Sequence, residues 1–135
     1  EAVGALCWPK RAAAFASGAS AWLVSASKDR TLKFWDLADL IKSFADGGGD
    51  GGGAAAKPAS PHTLRAVKAH EKDINYVTVS PNDRLVASAG QDKVVKLWSS
   101  TDASLVGVLR GHRRGVWACE FSTVDQVIAT ASADR

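Results

Sequence analysis

The 135-residue chain carries 17 Lys and Arg against 14 Asp and Glu, a net charge of +3, with 46% hydrophobic residues. It is long enough for one sizeable core and far less basic than a nucleic-acid-binding tail. No apolar run approaches the roughly 18 residues of a membrane span, and no basic start with a hydrophobic stretch and cleavage site argues for secretion, so the expectation is no membrane and a reducing nucleus or cytoplasm.

In chain order, apolar runs bounded by turn residues predict strands near 3–8, 21–26 and 31–35. The Ala-rich stretch KRAAAFASGASA at 10–21 separates the first two as a loop insert. After the third, DLADLIKSF has apolar residues at 37, 40, 41 and 44, the spacing of a short amphipathic helix. GGGDGGG and AAAKPASP follow, so 37–62 reads as a Gly/Ala-rich flexible insert between two strands. Further strands are expected near 63–68, 74–80, 84–89, 94–98, 104–109, 116–122 and 126–131, ten in all. Cys7 and Cys119 each sit in an apolar run, where a buried free thiol is the usual state. The chain opens inside an apolar segment and stops at SADR without a cap, and so reads as a fragment.

The sequence repeats itself. Shifted by 42 residues, KAHEKDINYVTVSPNDRLVASAGQDK falls without a gap on RGHRRGVWACEFSTVDQVIATASADR. WLVSASKDRTLKFWD at 22–36 falls on LVASAGQDKVVKLWS at 85–99, displaced by 63 because of the inserts. A period of this length with four short strands per copy means a solenoid or a propeller.

GH near the start of a repeat, a turn containing Asp, and Trp six residues after that Asp resemble the WD-repeat family of β-propellers. FWD at 34–36 keeps the signature dipeptide, and LWS at 97–99 has lost its Asp. The resemblance implies an all-β fold, a partial propeller of about two and a half four-stranded antiparallel blades. Non-signature segments, EKDIN, HRRG and DQVIATASAD, are similar to the branch of the family found in the small-subunit processome, the nucleolar assembly that matures pre-ribosomal RNA.

His70, Ser88 and Asp92 have the residue types of a hydrolase triad, but the trio recurs as His112, Thr130 and Asp134. Catalysis has no reason to repeat every 42 residues, and a structural network does. The resemblance implies that Trp98 donates to Ser88, Ser88 to His70 and His70 to Asp92, with Ser25, Asp29 and Trp35 as the first-blade counterparts and the matching histidine before Glu1. Three His and two Cys without CxxC, CxC or HxxxH spacing give no metal site, and GGGDGGG lacks the GK[ST] ending of a phosphate loop. No catalytic residue, cofactor or small-molecule substrate is expected.

The resemblance also places partner contacts at Lys28 in the first blade, Asp73, Asn75 and Gln91 in the second, and Gly115, Trp117 and Ala133 in the third. Arg113 and Arg114 beside Trp117 have the composition of an interaction hot spot. Both inserts should open on the face opposite these loops. The expected function is a non-catalytic scaffold in a nucleolar ribonucleoprotein complex for ribosomal RNA processing, binding other proteins with a possible RNA contact. The alternative is a cytoplasmic signalling or ubiquitin-ligase adaptor, whose WDxR signature is matched here only by WDLA at 35–38.

Overall fold

The computed structural model describes residues 2–11, 21–45 and 62–135. Along these run β1 (Val3–Cys7), β2 (Trp22–Ser27), β3 (Thr31–Asp36), α1 (Ala38–Ala45), β4 (His62–Lys68), β5 (Ile74–Val79), β6 (Leu85–Gly90), β7 (Val95–Ser99), β8 (Leu105–Leu109), β9 (Val116–Phe121) and β10 (Ile128–Ser132). Every predicted strand is present, its ends moved by at most two residues. Neighbours in sequence pair antiparallel to give three sheets, β1-β2-β3-β4, β5-β6-β7-β8 and β9-β10. The chain is a partial β-propeller of two four-stranded blades and one two-stranded blade.

The blades stack face to face, and β6 shows why its sequence is LVASAG. Val86 belongs to the core shared with the first sheet, together with Val24, Leu32, Ile74 and Val79. Ala87 and Ala89, on the opposite side of the pleat, join Val116 and Cys119 of the third sheet. A strand covered on both faces is buried along its length, and small residues let the third sheet approach closely.

Each innermost strand breaks register at the same point, skipping Gly4 in β1, Asn75 in β5 and Trp117 in β9. A bulge of this kind turns one side chain out of the regular alternation. The β2–β3, β4–β5, β6–β7 and β8–β9 connections emerge at that end and are short. At the opposite end, Asp83 in the β5–β6 turn accepts hydrogen bonds from the backbone N–H of Lys10 (2.7 Å) and Arg11 (3.2 Å), where the 10–21 insert departs. Lys10 also pairs with Glu120, which accepts a hydrogen bond from Thr78 Oγ1 (3.1 Å), so that end links all three sheets.

In the second insert, Asp36 ends β3 and caps α1, accepting from the backbone N–H of Ala38 at 2.8 Å. The helix forms where the apolar spacing predicts one, and β4 starts at His62, the last residue assigned to that insert. Residues 12–20 and 46–61 of the two inserts lie outside the described residues.

Buried polar networks and a candidate partner-binding face

Ser88 projects from β6 toward Trp98 of β7 and toward His70, which ends the β4–β5 connection. The Trp98 indole N–H donates to Ser88 Oγ at 2.9 Å, and Ser88 Oγ donates to His70 Nε2 at 2.7 Å. His70 Nδ1–H donates to both carboxylate oxygens of Asp92 at 2.9 Å. An indole can only donate and a carboxylate only accept, so the partners fix a neutral imidazole with its proton on Nδ1. Desolvation by burial lowers the His70 pKa, outweighing the raising effect of Asp92. Ser88 is fully buried and His70 is 1% exposed, so no substrate can reach the hydroxyl, and both its hydrogen-bonding directions are already used.

The third sheet repeats the geometry: His112 Nε2 lies 2.8 Å from Thr130 Oγ1, and His112 Nδ1 lies 3.0 Å from Asp134. Asp92 accepts from the backbone N–H of Glu71 (3.1 Å), and Asp134 from that of Arg113 (2.7 Å). One turn aspartate in each of these blades thus anchors both the histidine and the loop that carries it. The Arg113 N–H, followed by His112, holds the Asp134 carboxyl below its ordinary range. In the first sheet the Trp35 indole donates to Ser25 Oγ at 2.9 Å. Asp29 there accepts from the hydroxyl and the backbone N–H of Thr31, and the hydroxyl bond chiefly lowers its pKa.

Gly90 belongs to this site although sequence patterning does not single it out. A Cβ on Gly90 would stand 2.4 Å from both His70 Nδ1 and Asp92 Oδ1, so a side chain there requires the ring or the carboxylate to shift. Ser27 and Ser132 occupy the equivalent register positions, so the only sequence signal is that this one repeat lacks the serine.

The partner-contact candidates divide into two groups. Asn75, Gln91 and Gly115 tie the second and third sheets together. Asn75 Nδ2 donates to the Val116 carbonyl of β9 (2.7 Å), Gln91 Nε2 to Asn75 Oδ1 (3.4 Å), and the Gln91 side chain lies where a Cβ on Gly115 would be. Lys28, Asp73, Arg113, Arg114 and Ala133 are exposed on the short-loop face. Trp117 is 55% exposed and fills the bulge position that Asn75 fills in β5. Lys28 and Asp73 line a shallow cleft of about 470 Å³ between the first and second sheets, with Arg30, Glu71, Lys72 and Gln91.

Burial pushes the thiols of Cys7 and Cys119 up to about 12. Both are free, and among the described residues no cluster of His, Cys, Asp or Glu could hold a metal ion.

The model of the "WD domain, G-beta repeat" family matches residues 2–36, 61–99 and 103–135. The chain is 38% identical to Transducin beta-like protein 3 of Mus musculus over 123 residues, which cover 90% of this chain and 14% of that protein. It is 33% identical to U3 small nucleolar RNA-associated protein 13 of Saccharomyces cerevisiae over 103 residues, 71% of this chain and 10% of that protein. Striatin-4 of Homo sapiens is 31% identical over 135 residues, 92% of this chain and 16% of that protein. The chain thus spans 10% to 16% of the length of these relatives.

Proposed function

This chain belongs to the WD domain, G-beta repeat family, and from that premise we propose that it is one arc of a non-catalytic propeller scaffold in the nucleolar small-subunit processome. There it contributes to ribosomal RNA processing by binding other proteins through its short-loop face. The observation that carries the reading is the division of labour within the loops. The hydroxyls, imidazoles and aspartates with the makings of chemistry are spent in repeated internal networks. What the same loops leave exposed is Arg113 and Arg114 beside Trp117. A fixed exposed aromatic flanked by guanidinium groups is the composition of an interface hot spot. The name of the yeast relative, associated with a small nucleolar RNA, supports the ribosome-biogenesis setting.

Within this reading Lys28, Asp73, Arg113, Arg114, Trp117 and Ala133 present the contact surface, and Asn75, Gln91 and Gly115 hold the sheets that display it. The test is Arg113→Glu together with Arg114→Glu in the full chain as it occurs in the cell. Both side chains are exposed, so the thermal midpoint should stay in place while recovery of processome components is lost. Intact recovery removes the patch from the proposal. A wild-type chain absent from the nucleolus overturns the setting altogether.

A further inference from the structure

The +3 net charge is not spread evenly. The short-loop connections carry Lys28 and Arg30 after β2, Lys72 before β5 and Lys93 after β6. Arg110, Arg113 and Arg114 precede β9, and Arg135 follows β10. These eight cations face five carboxylates in the same segments, a surplus of three that equals the charge of the whole chain, so the other nine basic and nine acidic residues cancel. Three of the five carboxylates are also turned inward, Asp29 onto Thr31, Asp92 onto His70 and Asp134 onto His112. Among the described residues no lysine or arginine of this face has a carboxylate partner, since the Lys10–Glu120 pair lies at the other end.

Backbone geometry adds an independent observation. Arg30 (φ 73°) and Lys93 (φ 74°) hold the left-handed conformation, each directly after a turn aspartate, and Arg135 follows Asp134 at the same place in the third blade. Glycine adopts that conformation without steric cost, whereas a long side chain does not. Three successive blades nonetheless keep a cation at that place. The backbone carbonyl of Arg30 accepts from the N–H of Ala69 at 2.8 Å, so this turn is locked beside the loop that forms the other wall of the cleft.

We propose that Arg30, Lys93 and Arg135, with Lys28 and Lys72 at the cleft between the first two sheets, form a phosphate-tracking surface for single-stranded RNA. The cleft is lined only by charged and amide side chains, which disfavours a protein segment there, because protein docking needs a buried apolar or aromatic anchor. On this proposal the protein-binding patch is confined to Arg113, Arg114, Trp117 and Ala133, and Lys28 passes from the protein-contact surface to the RNA surface. This inference rests on the ribosomal-RNA setting proposed above and deepens it.

The test compares the wild-type full chain with the Arg30→Gly, Lys93→Gly, Arg135→Gly triple variant, each purified and titrated with a short polyuridylate over a range of salt. Glycine suits the left-handed positions, so the thermal midpoint should not fall. Each lost phosphate contact removes about 0.7 from the slope of log affinity against log salt, so three should remove about 2. Arg30→Lys with Arg135→Lys should keep the wild-type slope. A wild type that does not bind the oligonucleotide, or a triple variant with an unchanged slope, overturns the proposal. So does competition by a polyglutamate peptide with the same dependence on the three residues, which would assign the face to an acidic protein segment. Because the titration needs no other processome component, its failure is distinguishable from a failure to recover the complex from cells.

Discussion

Gly90→Ala inserts one methyl group where the structure has no room for it. The new carbon would lie 2.4 Å from His70 Nδ1 and from Asp92 Oδ1, about 1 Å inside ordinary van der Waals contact. His70 cannot retreat freely, because its other nitrogen is held 2.7 Å from Ser88 Oγ and the ring is almost wholly buried. Overpacking a site of this kind costs about 1–3 kcal/mol, and a buried hydrogen bond broken by the displacement costs about 1–3 kcal/mol more. The expected loss is therefore about 2–6 kcal/mol, read from the denaturant midpoint of the full chain. Gly107→Ala is the matched control, since its Cβ would meet only Leu97 Cδ1 at 3.9 Å, and it should change stability by less than about 1 kcal/mol. In a His70→Ala background the cost of Gly90→Ala should shrink, because the clashing ring is gone. Stability unchanged by Gly90→Ala, or costs that simply add with those of His70→Ala, would refute the reasoning.

Two further outcomes follow from the titrating groups. His70 is neutral in its network and its pKa is lowered by burial, so the unfolded chain takes up that proton first as the solution is acidified. Its contribution to stability should be fully present above about pH 6.5, the unperturbed value, and should fall as pH drops toward the lower folded value. A His70→Gln variant should lose that part of the pH dependence, and an unchanged profile would remove the histidine from the account. The second outcome concerns the thiols: with pKa values near 12, Cys7 and Cys119 should resist maleimide at neutral pH while the chain is folded and react once denaturant is added, as read by mass spectrometry. Rapid labelling of Cys119 in the folded state would contradict its burial.

Periodicity in the sequence was sufficient for the strand count and for the recurrence of His70, Ser88 and Asp92 as His112, Thr130 and Asp134, because each is specified by residues close in the chain or repeated at 42 residues, while the bonding order of the network, with Trp98 in it, came from the family resemblance. A serine, a histidine and an aspartate that recur in step must serve something that recurs. One property depended instead on a contact between sheets, and two on side-chain geometry within a blade. Asn75 reaches the carbonyl of Val116, so an amide expected to face a partner instead holds two blades together. A side chain at Gly90 would meet a ring and a carboxylate that approach it from two loops of the same blade. The sidedness of the charge is also decided by folding: composition records only a weak surplus, and it becomes a basic face because the turn aspartates bond inward to Thr31, His70 and His112 while the cations beside them have no carboxylate partner among the described residues. Local patterning governs which residues form a strand; whether a side chain bonds within its own blade or to the next one, as Asn75 does, is decided only when the sheets stack.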